Sequence, residues 1–289
     1  MASLPPLVTP PQLASIAARP DVRIVDATAF LQRDAEGGGP YRIESGRATY
    51  EAGHIPGAVF ADIPADFSDP DARHALTVPR PQAFAEAVQD LGISNAHQVV
   101  VYAQGAPLWA TRFWWLLRYF GHQRVSVLDG GLTAWVADNR PLETGSRSYP
   151  RCVFAAHPDR SLLARLQEVR EVVHGGGEQL VNALSPSAFR GLEPSAYARP
   201  GRIPGSINVP FSTLLDPVTL RFHSPDETRR VLEDAGVAFD RPVTTYCGGG
   251  ISATVLLFAL VVTGHPQARL YDGSLTEWSA DPDLPMVTG

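Results

Sequence analysis

The chain has 289 residues, 44% of them hydrophobic and 19% charged, which suits a soluble globular protein with two domains, each burying its own core. A net charge of −6 argues against nucleic acid as a partner. No run reaches the ~18 consecutive apolar residues of a membrane span, so no membrane association is expected. All 24 basic residues are Arg, which excludes lysine Schiff bases and lysine general bases. Any anion site must then use Arg, His or backbone N–H groups.

In chain order, the start Met1-Ala2-Ser3-Leu4-Pro5-Pro6 has neither a basic nor an apolar leader region, and a cytoplasmic location is the expectation. Asp26-Ala27 and Ile55-Pro56-Gly57-Ala58 come first. Gln98 to Tyr102 reads as a buried strand. The loop Ala103-Gln104-Gly105-Ala106-Pro107 leads into a helical run, Thr111 to Phe120, closed by Gly121 as C-cap. Val125 to Leu128 is a short strand, followed by an Asp129-Gly130 turn and Trp135. Residues 1–140 form the expected N-terminal domain. Residues 141–159, rich in Pro, Gly, Arg and Ser, read as a linker, and Cys152 within them as a bystander thiol.

Residues 160–289 repeat the order, with an offset near 144. Asn182-Ala183 matches Asp26-Ala27, and Ile203-Pro204-Gly205-Ser206 matches the earlier Ile-Pro-Gly. Pro242 to Tyr246 is the matching strand, and Ala253 to Thr263, ending at Gly264, the matching helix. Asp272-Gly273 and Trp278 follow. Alternating apolar β-rich and helical stretches imply an α/β fold, a parallel sheet with helices on both faces in each half. Cys152 and Cys247 form no C-x-x-C, so neither a zinc site nor any other metal site is expected, and no cofactor.

The halves differ most after the strand. Where the first has Ala103, the second has Cys247-Gly248-Gly249-Gly250-Ile251-Ser252-Ala253. Open α/β sheets place ligands at the carboxyl ends of their strands. Glycines reach φ > 0 without a Cβ clash and let a loop turn its N–H groups inward as an anion nest. A helix mouth adds positive potential. Both favour a thiolate at Cys247 and would hold a persulfide anion in a cradle of Gly248, Gly249, Gly250, Ile251, Ser252 and Ala253. Ser252 reads equally as a donor to bound sulfur or as an N-cap hydroxyl.

The combination of Gly53-His54-Ile55-Pro56-Gly57-Ala58, Trp114-Trp115-Leu116-Leu117-Arg118, Leu128-Asp129-Gly130-Gly131, Gly205 to Phe211, Thr245 to Gly250 and Tyr271-Asp272-Gly273-Ser274 resembles the tandem-domain rhodanese and 3-mercaptopyruvate sulfurtransferase family. The resemblance implies two tandem rhodanese-like domains, the first inactive and the second catalytic, with the site facing the interface between them. It implies ping-pong transfer of a sulfane sulfur from thiosulfate or 3-mercaptopyruvate, through Cys247, to a thiol or cyanide, with a protein thiol as a further acceptor. Family loops are read at the residue two after the Cys, where Lys suits thiosulfate and Ser goes with mercaptopyruvate; here it is Gly249. Two family arginines are replaced by Leu184 and Ala188, so Arg190, Arg199 and Arg202 are candidates for the missing charge. His54 matches a position proposed to help at the site. Asp272 and Trp278, having counterparts in the first half, read as structural.

Two other readings compete. A Cys-based phosphatase needs an Arg six residues after its Cys to clamp phosphate, and position 253 is Ala. A non-catalytic binding or regulatory module would account for the lost arginines but not for the retained Cys and triple Gly.

Overall fold

The computed structural model describes residues 4–32 and 41–289. Twelve strands are present among them: β1 (Leu7–Val8), β2 (Val22–Asp26), β3 (Ala29–Gln32), β4 (Arg42–Ser45), β5 (Ala58–Phe60), β6 (Gln98–Tyr102), β7 (Val125–Leu128), β8 (Leu163–Ala164), β9 (Gln179–Asn182), β10 (Ile207–Asn208), β11 (Val243–Tyr246) and β12 (Ala268–Tyr271). The central strands Gln98–Tyr102 and Val243–Tyr246 are buried along their whole length, as continuous apolar runs should be in a parallel sheet.

One sheet has the order β1-β7-β6-β2-β5 and the other β8-β12-β11-β9-β10, the same order under the sequence repeat. Every pairing in both is parallel. Helices flank both sheets, giving tandem α/β units. The repeat also explains local anchoring. Tyr102 Oη accepts from Ile55 N at 3.1 Å, and its equivalent Tyr246 Oη from Ile203 N at 3.2 Å. A strand-end tyrosine thus fixes each Ile-Pro-Gly turn. Trp135 and Trp278 likewise donate their indole N–H to the carbonyls of Pro141 and Pro285.

The helices Leu108–Tyr119 and Ser252–Val262 are apolar nearly all round and almost wholly buried, as helices hydrophobic on every side must be. Each ends one residue or less from its expected end, and Gly121 (φ +89°) and Gly264 (φ +79°) follow in left-handed conformations. The two pack on each other at the centre of the molecule. Trp114 meets Phe258 edge-on at 4.9 Å, and the equivalent residues Thr111 and Thr254 share a 2.8 Å hydroxyl hydrogen bond. One hydrophobic core therefore runs through both halves.

Residues 141–159 hold no helix or strand, but they are not loose. His157 N and Asp159 N donate to the carbonyls of Phe120 and Tyr119, and Phe154 is buried against Phe84. Cys152 is partly exposed, its thiol facing the Pro150 carbonyl at 3.6 Å. The antiparallel hairpin β3–β4 has no counterpart in the second half and was not expected from the sequence.

Candidate active site

Cys247 is the first residue after β11, and the helix Ser252–Val262 starts five residues later. Cys247 is 2% exposed and lines a cavity of about 400 Å³ between the two halves. Leu31, Tyr41, Ile43, Leu76 and Leu108 come from one side, and Leu184, Phe211 and the Cys247 loop from the other.

The loop is held by its carbonyls. Cys247 O accepts from Leu275 N at 3.2 Å, Gly248 O from Thr276 N and Oγ1 at 2.8 Å each, and Gly250 O from Arg112 Nη1 at 3.4 Å. Ile251 O accepts from Thr254 N and Oγ1. The Cys247 amide is also used, donating to Ser274 Oγ at 3.1 Å. The next six amides, Gly248 through Ala253, donate to no protein acceptor among the described residues. Five of those six residues are buried and Gly249 is partly so. Buried N–H groups without acceptors are rare. A run of six that follows Cys247 in the chain and ends at a helix mouth can hold an anion there.

The glycines do different work from that expected. Gly249 does not have positive φ, and a Cβ there would meet only Thr276 Oγ1 at 3.7 Å. The left-handed residue is Gly250 (φ +76°), where a Cβ would lie 2.8 Å from both the carbonyl and the carboxylate of Asp272. At Gly248 a Cβ would collide with the Tyr197 phenol. The strict requirements are therefore at 248 and 250. Ser252 is the first helical residue rather than the N-cap; its hydroxyl makes no protein hydrogen bond and borders the cavity.

None of the four candidate binding residues lines this cavity. Arg199 is spent on the carbonyls of Ser279, Asp281 and Leu284, which tie down the C-terminal segment. Arg202 lies over the Phe189 ring at 4.6 Å and donates to Gly289 O. Arg190 is exposed, and its carbonyl accepts from Gly289 N. His54 is buried in the N-terminal half, stacked on Tyr50 at 4.1 Å with Nδ1 donating to the Tyr50 carbonyl. Sequence reasoning placed these residues by their motif neighbours, and their local packing claims them first.

Sequence reasoning also passed over Arg112. Fully buried on the N-terminal half's central helix, it donates to Leu76 O at 2.6 Å and to Asp272 Oδ1 at 2.5 Å, directly behind the Cys247 loop. Asp272 Oδ2 accepts from Val78 N at 2.9 Å. Its counterpart Asp129 accepts from Phe222 N, also at 2.9 Å and also across the halves. Asp272 is structural, as expected, but the structure it holds is the cradle itself.

Comparison with known proteins identifies the family. The family model described as "Rhodanese-like domain" matches residues 9–138 and again 166–281. The 3-mercaptopyruvate sulfurtransferase of Escherichia coli K12 is 37% identical over 82% of this chain and 84% of its own. The thiosulfate sulfurtransferase of Rattus norvegicus is 33% identical over 90% of this chain and 85% of its own. The crystal structure of SseA from Escherichia coli, a 3-mercaptopyruvate sulfotransferase, superposes with a TM-score of 0.82 at 34% identity, covering 94% of this chain and 99% of that one.

Proposed function

We propose that this chain, which belongs to the rhodanese-like domain family and is a sulfurtransferase, carries its sulfur on Cys247 as a persulfide. The observation that carries the reading is the run of six acceptor-less amides, Gly248 to Ala253, that follows Cys247 directly in the chain and leads into a helix, beside a cavity that Cys247 lines. The Cys247 thiolate attacks the transferable sulfur of a donor, the sulfane sulfur of thiosulfate (releasing sulfite) or the thiol sulfur of 3-mercaptopyruvate (releasing the pyruvate enolate). The bond between that sulfur and the rest of the donor breaks, and its electron pair leaves with the departing group. The amides hold the new terminal S⁻. An acceptor, cyanide or a thiolate, then attacks the outer sulfur, leaving as thiocyanate or a persulfide and returning Cys247 to thiolate. Each half-reaction balances in atoms and charge and needs no cofactor. The relatives' names give thiosulfate and 3-mercaptopyruvate as the donors to test first.

Residues 141–159 serve in this reading as the connection between an N-terminal unit that supplies one cavity wall and a C-terminal unit that supplies the nucleophile. Among the described residues no helix is long and apolar enough to cross a membrane, and a cytoplasmic enzyme acting on small sulfur compounds is the reading we adopt.

Intact-mass and peptide mass spectrometry after incubation with donor tests the proposal. The expected result is a gain of one sulfur atom on Cys247, lost on adding cyanide. Cys247→Ser should fold normally and lose transfer. Full transfer by that variant, or a sulfur gain on Cys152 alone, sinks the proposal.

A further inference from the structure

A second cavity, of about 590 Å³, lies between the halves and shares no lining residue with the one that Cys247 lines. Residues 72–74, 77–80 and Tyr119 come from the N-terminal half, and residues 163–167, 271–273 and Glu277 from the C-terminal half. Two phenols stand in its wall, one from each half. Tyr119 is 7% exposed and Tyr271 1%. Neither hydroxyl makes a hydrogen bond among the described residues, although the Glu277 carboxylate is close enough to Tyr271 to raise its pKa. Buried phenols ordinarily find a partner. Burial pushes both upward from the usual phenol value, so both are O–H donors at neutral pH.

The charges around these phenols do not cancel. Arg73 of the N-terminal half and Arg165 of the C-terminal half line the cavity and form no ion pair among the described residues. Arg80 is taken by Asp71 at 3.0 Å. Of the two lining carboxylates, Asp272 is committed to Arg112 and to Val78 N, which leaves Glu277. Two uncommitted guanidinium groups therefore face one uncommitted carboxylate. An exposed arginine alone is ordinary surface. Here two of them meet unsatisfied buried donors in a space within the ~300–1,000 Å³ range of organic-ligand sites. Arginine and phenol O–H groups together suit an oxyanion, and Leu163, Leu166 and Pro79 offer apolar wall for an organic body.

We infer that this cavity binds a small organic oxyanion, with a carboxylate or phosphate head held by Arg73, Arg165 and the two phenols and its body against the apolar wall. Such a ligand bridges the halves beside Asp272, whose partner Arg112 also touches the Gly250 carbonyl. Its binding stabilises the arrangement of halves that braces the Cys247 loop. The inference is independent of the reading of Cys247 as the sulfur carrier.

The test is calorimetric titration of the full chain with phenyl phosphate, benzoate, inorganic phosphate and benzyl alcohol, with melting curves in parallel. The expected result is a Kd of about 1 mM or tighter for phenyl phosphate or benzoate, at least fivefold weaker binding of inorganic phosphate, and no binding of benzyl alcohol. The tighter of the first two identifies the head. The bound probe at 10 mM should raise Tm by about 2 °C or more. Arg73→Gln and Arg165→Gln, on opposite halves, should each weaken binding at least fivefold, and Tyr119→Phe about threefold, with Tm in the absence of probe unchanged. Binding untouched by both arginine substitutions would place the probe elsewhere, such as the Cys247 cradle, and overturns the inference. Absence of binding by either charged aromatic probe overturns it too, and both results leave the persulfide mechanism standing.

Discussion

Arg112 of the N-terminal half and Asp272 of the C-terminal half form a fully enclosed ion pair, Nη1 to Oδ1 at 2.5 Å, and the same Nη1 touches the Gly250 carbonyl. The second half has Val255 at the position equivalent to Arg112, so only the Cys247 loop gains this brace. Removing one member of a buried pair leaves a charge without a partner, at a cost of about 3–5 kcal/mol. Arg112→Met should lower stability by about that much and slow transfer, because Gly250 loses its anchor. Arg112→Met with Asp272→Asn removes both charges and should recover part of the loss. Urea midpoints through the double-mutant cycle give the coupling; additive losses would show that the pair is not a unit.

Much of this site was legible in the sequence, and the reason is the repeat. Two copies of strand, loop, capped helix and Asp-Gly turn define the sheets, and the difference just after the strand, Ala103 in one copy against Cys247 in the other, points to Cys247. What was not legible lies between copies. Arg112 sits in the half without the Cys, and nothing in its own helix says that it reaches Asp272. The shared Asp129 and Asp272 look equivalent in sequence and are equivalent in bridging the halves, yet only the Asp272 bridge lies behind the Cys247 loop. The hairpin β3–β4, which builds the cavity's outer wall, has no second copy to reveal it. Sequence also could not tell which glycine carries positive φ.

That last point separates three adjacent substitutions. Gly250→Ala combines φ +76° with a Cβ 2.8 Å from two Asp272 oxygens, and Gly248→Ala drives a Cβ into Tyr197. Gly249→Ala and Gly249→Ser meet only ordinary contact. Sulfur loading of Cys247 should fall at least about 100-fold in Gly250→Ala, equivalent to about 2.7 kcal/mol in the barrier. It should fall less in Gly248→Ala, where a phenol can shift, and less than about threefold in Gly249→Ala. Pre-steady-state loading rates check the order; equal losses at all three positions would remove the cradle geometry as their cause.

Burial pushes the His122 imidazole down to about 4. Nε2–H donates to Arg124 O at 3.2 Å, and Nδ1 has no partner. In the unfolded chain the same group titrates near 6.5. Between pH ~6.5 and ~4 the unfolded state therefore binds a proton that the folded state refuses, and stability falls as pH falls through that window. The full effect is about 3 kcal/mol, levelling off below pH ~4. Above pH ~7 both states are neutral and nothing is lost. His122→Phe should remove this contribution, so that between pH 7.5 and 5 the variant loses about 2 kcal/mol less than the parent. Other groups cancel in the difference; parallel stability profiles would show that His122 is not a proton-refusing site.

Ser274 holds φ +48°, a left-handed conformation that costs a non-glycine residue roughly 1–2 kcal/mol. At the equivalent position the first half uses glycine, Gly131 at φ +54°. The strain is tolerated in the half where the hydroxyl has a task. Ser274 Oγ accepts from Cys247 N at 3.1 Å and donates to Tyr271 O at 2.8 Å, so it fixes the Cys247 backbone. Ser274→Gly trades relief of strain against an orphaned buried amide worth about 1–3 kcal/mol, leaving stability nearly unchanged. Ser274→Ala keeps the strain, loses the bond, and should be the less stable of the two. Because the hydroxyl bonds the backbone amide and not the sulfur, both variants should lower kcat about tenfold with KM little changed. A kcat equal to the parent in both would mean that the hydroxyl only fills space, and that Cys247 is positioned by Leu275 N and the loop carbonyls without it.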